Sequence, residues 1–275
     1  MLSLMKNKLK KVSNLRLRGS EPGLPPYGYF ELNSDWLTVK KSCSGYDAEA
    51  ILKKVHQAIL RVKNGTAVYE RDSFLFDKIQ YAWPLLGCLM FVAHKTGRIR
   101  VIDFGGSLGS TYFQNKKFLD EIHDVSWNVI EQKNFVRLGQ QDVAGIHLRF
   151  FENIEASLIE KVSDVLVVSG SLQYLPDPWS MLDKFLSHDF EFIIFDRTTF
   201  NSEPKDLISK QVVPPVIYDA SYPVWFLNKE CFLKKMGQKY RLLEEWEALS
   251  QKIQICRPDG THSTGSDCGF FFIKK

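Results

Sequence analysis

Apolar runs of four to six residues recur along the middle of this chain, at 101–104, 126–131, 147–151, 164–168 and 191–195. They lack the strict apolar/polar alternation of a strand with one wet face, and the segments between them carry helical spacing. The pattern therefore predicts parallel strands covered on both faces by helices. Two later runs, 240–246 and 269–273, have no helical segment between them and predict an antiparallel pair at the sheet edge. Upstream, Ile51, Val55, Ile59 and Val62 fall on one face of a helix that Asn64-Gly65 stops. Residues 72–95 read as a second helical stretch, apolar nearly all round and kinked or broken at Pro84. The expected organisation is a basic flexible tail (1–20), a helical cap (21–97) and an α/β domain (98–275). Residues 198–225, with Pro204, Pro214, Pro215 and Pro223, read as a long loop covering a substrate.

Composition supports a folded globular chain: 275 residues with 44% hydrophobic and 13% aromatic content suffice for a full core. The net charge is only +4. Much of the excess sits in Lys6, Lys8, Lys10, Lys11, Arg16 and Arg18, interleaved with Leu2, Leu4, Met5, Leu9, Val12, Leu15 and Leu17. Such a segment suits either a solvated tail or weak contact with an anionic membrane surface. Elsewhere no basic patch is interleaved with aromatic residues, which argues against a nucleic-acid partner. No apolar run reaches signal-peptide or membrane-span length. Cys43, Cys88, Cys231, Cys256 and Cys268 are odd in number and form no C-x-x-C pair. That usage fits reduced cytoplasmic thiols and predicts neither disulfides nor a metal site.

The densest chemistry follows the first central strand, in Asp103-Phe104-Gly105-Gly106-Ser107-Leu108-Gly109-Ser110. Glycines at 105, 106 and 109 permit positive φ and let a ligand approach the backbone, and Ser110 is placed to open a helix. An acid two residues ahead of the glycines disfavours a pyrophosphate and suits a cationic cofactor without phosphate, S-adenosylmethionine in preference to NAD. The second strand ends at Glu131, where a carboxylate would meet a ribose diol. Ser169 and Gln173 follow the fourth strand as further cofactor contacts. Asp196 and Arg197 follow the fifth, and with Tyr174 they stand at strand carboxyl ends, where acceptor and base belong. Asp196 and Tyr174 are the candidate catalytic residues. Arg197 is a candidate for substrate binding, together with Tyr69 and Arg71 from the cap.

The Asp103–Gly109 segment resembles the first motif of class I S-adenosylmethionine-dependent methyltransferases, and Ser169-Gly170-Ser171-Leu172-Gln173-Tyr174-Leu175-Pro176-Asp177-Pro178 resembles their post-strand-four turn. Ser107 departs from the class by standing where a glycine is usual. From about Pro26 onward the chain further resembles a bacterial group of methyltransferases that share a Gly-Tyr-Asp helix start, here 45–47, and a Tyr-Glu-Arg-Asp-Ser segment, here 69–73. The resemblance implies a Rossmann-like sheet of seven strands, mostly parallel with an antiparallel last strand, and a glycan or glycolipid precursor as acceptor in surface-polysaccharide assembly. Two functional classes stand open: a methyltransferase acting on a small polar or saccharide acceptor, and a non-catalytic cofactor-binding partner of a polysaccharide-assembly enzyme. An NAD-linked oxidoreductase is disfavoured by the loop and by the lack of a Tyr-x-x-x-Lys pair after the fourth strand.

Overall fold

The computed structural model describes residues 26–44, 48–214, 220–249 and 252–275. The basic segment 1–20, and with it the expected membrane contact, lies outside these residues. In chain order the elements begin with β1 (Gly28–Glu31), α1 (Trp36–Ser42), α2 (Ala48–Lys63), the hairpin β2 (Tyr69–Arg71) and β3 (Phe74–Phe76), and α3 (Trp83–Thr96). Next come β4 (Ile99–Phe104), α4 (Ser110–Leu119), β5 (Val125–Ile130), α5 (Lys133–Leu138), β6 (Leu148–Phe151), α6 (Ile154–Glu160), β7 (Val165–Ser169) and α7 (Pro178–Ser187). The last are β8 (Phe192–Asn201), β9 (Leu207–Val212), β10 (Ser221–Asn228), α8 (Lys229–Met236), β11 (Tyr240–Glu247), β12 (Ile253–Cys256) and β13 (His262–Lys274).

Strands β6, β5, β4, β7 and β8 lie side by side and run parallel, and β13 and then β11 add antiparallel at the far edge. The absence of alternation has its expected cause. Val101, Val167 and Ile194 enter the core on one face, and Ile102, Leu166, Val168 and Ile193 enter the core on the other. Local chemistry sets the helix starts. Asp177 caps α7 by accepting the Ser180 backbone N–H at 3.0 Å, with Pro178 in the first turn where its missing N–H costs nothing.

The expected seven-stranded sheet needs correction, because the sheet has eleven strands among the described residues. The long strands β8 and β13 run on past the carboxyl edge of the parallel sheet, and β10, β9, β1 and β12 join them there. The order β8-β10-β9-β1-β12-β13 closes through the β13–β8 pairing into a six-stranded barrel. The segment read as a substrate-covering loop, 198–225, is thus mostly barrel wall among its described residues, in strand at 198–201, 207–212 and 221–225. Pro223 misled because a proline argues against a strand. It pairs with Lys210 on β9, while β10 reaches β8 only at Leu227 and Asn228, so no ladder partner needs its missing N–H. Gly265 lets β13 pass close to the barrel filling: a Cβ there would lie 2.4 Å from the Phe226 ring.

A second correction concerns 72–95. Residues up to Phe76 form the hairpin, and α3 begins at Trp83 with Pro84 in its first turn, so the proline starts the helix and does not kink it. Gly97, at φ 70°, ends it. Within the expected cap, β1 belongs to the barrel. No helix among the described residues is long and apolar enough to cross a membrane.

Candidate functional site

The site lies where the parallel strands deliver their carboxyl ends, between the hairpin β2–β3 on one side and the barrel on the other. The turn after β4 is tightly constrained. Gly105 (φ 69°) leaves no room for a side chain, since a Cβ would sit 2.5 Å from that of Ser171, whose hydroxyl donates to the Phe104 carbonyl at 2.8 Å. Ser107, at the position usual for glycine, has φ 55°, so it keeps the left-handed backbone at some cost in strain. Gly109 (φ 88°) precedes α4, and its N–H closes the turn on the Gly106 carbonyl at 2.9 Å.

Asp103 is 1% exposed and faces the inside of this turn. Its carboxylate accepts the Trp127 indole N–H at 3.0 Å and occupies the space a Cβ on Gly106 would need, 2.4 Å away. Burial pushes the carboxyl up to about 7, against that hydrogen bond and Arg197, which pull it down. Asp103 thus braces the loop from beneath. Glu131 comes to the loop from the end of β5. Burial raises its carboxyl too, while backbone N–H groups of Gln132 and Ser107 bond it and pull it down.

The turn after β7 meets the end of β8. Ser169 Oγ donates to Asp196 at 3.0 Å and accepts from Arg197 Nε at 3.2 Å. Asp196, 2% exposed, also accepts the Trp246 indole N–H at 3.0 Å on its other oxygen, and Arg197 Nε lies 3.7 Å away. Gln173 donates its amide to the Arg197 carbonyl at 2.9 Å, while its Oε1 is buried without a partner. Arg197 has φ 50°, a break in the strand that turns its side chain to the site, where Asp72, Asp196, Tyr69 and Tyr174 act on its charge. The Tyr174 hydroxyl reaches into the barrel and donates to Gln211 Oε1 at 3.0 Å.

From the hairpin, buried Tyr69 accepts from Gln114 on α4 at 3.0 Å. Arg71 turns along the hairpin to Gln80 at 3.4 Å and over the Phe76 ring at 5.5 Å. Between them Glu70, which the sequence reading passed over, is 1% exposed and accepts the Ser110 hydroxyl and, at 3.2 Å, the Ser73 N–H. Burial pushes it up to about 7. Sequence marked Glu70 only as a member of the 69–73 segment and gave it no role, because its partner Ser110 lies forty residues away.

The donor set fits S-adenosylmethionine. The cradle of Gly105 and Gly106 excludes side chains, the loop 103–110 carries no lysine or arginine to hold phosphate, and the acids Glu131 and Glu70 bond it. Among the described residues no group of three or more His, Cys, Asp or Glu side chains is placed to hold a metal ion.

No family model matches the chain, and no curated protein matches it. Solved structures do. The N-terminal domain of EvdMO1 with S-adenosylhomocysteine bound is 14% identical at a TM-score of 0.46, over 80% of this chain and 96% of that one. An Anabaena variabilis SAM-dependent methyltransferase is 12% identical at a TM-score of 0.46, over 80% and 95%. The Burkholderia thailandensis 1,6-didemethyltoxoflavin-N1-methyltransferase, with its substrate and S-adenosylhomocysteine, is 10% identical at a TM-score of 0.41, over 93% and 98%.

Proposed function

We propose that the chain is an S-adenosylmethionine-dependent methyltransferase acting on a small polar acceptor. The observation that carries this reading is the meeting of the side-chain-free turn at Gly105–Gly106 with the Glu131 carboxylate at the carboxyl edge of the sheet, in a loop without basic residues. The backbone of Gly105, Gly106, Ser107 and Gly109 would hold the methionine part, with Asp103 fixing the turn beneath it, and Glu131 would take the ribose hydroxyls. Ser169 and Gln173 complete the wall. The bound cofactor supplies an electrophilic methyl group on a sulfonium. The chain's own task is then to align the acceptor, exclude water and accept a proton.

Arg197, Tyr69 and Arg71 are proposed to line the acceptor side, with Asp196 and Tyr174 at its floor and barrel wall. The acceptor we favour is a saccharide or glycolipid precursor methylated on oxygen, the class that the bacterial sequence resemblance implies. Isothermal titration with S-adenosylmethionine, S-adenosylhomocysteine and NAD tests the first step. Micromolar binding of the two sulfur compounds and none of NAD is expected; NAD binding alone would overturn the reading.

A further inference from the structure

The carboxyl edge of the sheet carries a cation whose hydrogen-bonding capacity is mostly unused. An arginine side chain offers five N–H groups. Arg197 Nε donates to Ser169 at 3.2 Å, and the nearest carboxylate, Asp196, stands 3.7 Å from that same nitrogen while accepting from Ser169 and Trp246. The two Nη groups of Arg197 donate no hydrogen bond among the described residues, and the side chain is 26% exposed. Arg71, the other arginine assigned to the acceptor side, is engaged with Gln80 and the Phe76 ring.

Short contacts connect this fork to the glycine turn. A Cβ on Gly105 would lie 2.5 Å from Ser171 Cβ, and a Cβ on the residue before it, Gly170, would lie 3.6 Å from both Cζ and Nη2 of Arg197. The guanidinium therefore rests on bare backbone, one residue from the side chain that abuts the turn. Gly105, Gly106, Ser107, Gly170, Ser171 and Arg197 are all partly exposed, so a ligand can approach from solvent between turn and fork. In the sheet, Glu131 follows β5 and Arg197 lies on β8, with β4 and β7 between those strands. Neighbouring strands lie about 4.8 Å apart, which sets the ends of β4 and β8 about 10 Å apart. A cofactor seated over β5 and β4 leaves the ends of β7 and β8 for the acceptor.

Charge selects the kind of anion. Burial pushes Glu70 and Asp103 up to about 7 and Asp267 up to about 6, and Arg197 pulls each of them down. Burial opposes the charge of Arg197 itself, while Asp72, Asp196, Tyr69 and Tyr174 support it. One guanidinium among so many acids balances a single negative charge. A doubly charged phosphate would meet repulsion from the same acids. A carboxylate carries one charge, and its two oxygens match the parallel N–H bonds of the fork.

We propose that the Arg197 guanidinium binds a carboxylate on the acceptor, held over the Gly170–Ser171 backbone beside the glycine turn. This rests on the methyl-donor reading above and narrows it: among saccharide acceptors it selects those that bear a carboxylate near the methylated group.

NMR of the full chain with S-adenosylhomocysteine tests this through the backbone amide of Gly170, which lies under the fork and donates to the Asp196 carbonyl at 2.9 Å. Sodium acetate should move that resonance saturably, and acetamide should not. Arg197→Gln should weaken acetate binding about tenfold or more, and Arg197→Lys should keep part of it, with S-adenosylhomocysteine affinity within about threefold of the parent in both. No saturable response in the parent, an equal response in Arg197→Gln, or tighter binding of inorganic phosphate than of acetate overturns the proposal while leaving the methyl-donor reading intact. Loss of S-adenosylhomocysteine affinity by about tenfold in Arg197→Gln, with that of 5′-methylthioadenosine unchanged, also overturns it, because the carboxylate held would then be the cofactor's. Failure of S-adenosylhomocysteine to bind the parent overturns both. If Arg197→Gln fails to fold, the Arg197 Nε–Hε resonance of the native chain decides. A saturable shift with acetate and none with acetamide supports the proposal, and no shift overturns it.

Discussion

The two sides of the site are assembled in opposite ways. On the side proposed for the cofactor, the turn from Asp103 to Ser110 is one contiguous stretch between a strand and a helix, and its braces Trp127, Ser171 and Glu131 come from β5 and from the residues that follow β7 and β5. On the barrel side, β1, β9, β10 and β12 come from segments up to some two hundred residues apart in the chain. Local construction gives a rigid feature that tolerates almost no substitution. Distributed construction gives a wall that no contiguous motif defines and that takes its strength from packing, as of Phe226 against Gly265.

That contrast can be broken most sharply at the turn. Gly105→Val places a branched side chain at φ 69° against Ser171, and binding of both sulfur compounds should fall by about a hundredfold or more by titration calorimetry, with the far-ultraviolet circular dichroism unchanged. Retained affinity would mean that the turn is not the cofactor seat. Phe226→Ala should do the reverse. Emptying the fully buried ring position between β10 and Gly265 should cost about 3–5 kcal/mol in urea unfolding while leaving S-adenosylhomocysteine affinity within about threefold.

The loop also carries a pH signature. The Asp103 carboxyl lies at about 7 folded against an ordinary value of 3.8, so the folded state holds this proton more tightly than the unfolded one. Stability is therefore greatest at low pH on this account, and it declines as pH rises from about 4 to about 7. Asp103→Asn should remove that decline. Urea unfolding at pH 5 and pH 8 should differ between variant and parent by on the order of 2–4 kcal/mol. A parallel pH dependence in both would assign the effect elsewhere, with Glu70 the next group to replace. The smallest expected effect is that of Tyr174→Phe, which removes a hydrogen bond to Gln211. It should lower barrel stability by about 0.5–1.5 kcal/mol without touching cofactor affinity.

The same contrast explains what could be read from sequence. The runs at 126–131 and 164–168 were legible because a strand covered on both faces is mostly apolar, as buried Trp127, Val129, Leu166 and Val168 show, and a buried exception, Asn128, is satisfied by donating to Ser157 Oγ at 2.9 Å. The glycine turn was legible because steric need left only glycine at positions such as 105. The barrel was not. Leu207-Ile208-Ser209-Lys210-Gln211-Val212 is short and flanked by prolines, and β1 owes its place to partners at 209–212 and 255–256, which no local pattern announces. Glu70 was hidden for the same reason, its role depending on a hydroxyl from a distant helix. The charge argument that favoured S-adenosylmethionine assumed an Asp103 directed at the ligand. The structure keeps the acid beneath the loop, where its effect on a ligand passes through the geometry of Gly106.

Strands β8 and β13 belong to both sheet and barrel without interruption, apart from the irregular step at Arg197 and between Cys268 and Phe270. An architecture with shared beams cannot be re-engineered by exchanging modules, because cutting out the barrel would also remove the strands that complete the sheet edge. Changes to the barrel would have to be made by exchanging individual side chains, leaving those two common strands in place.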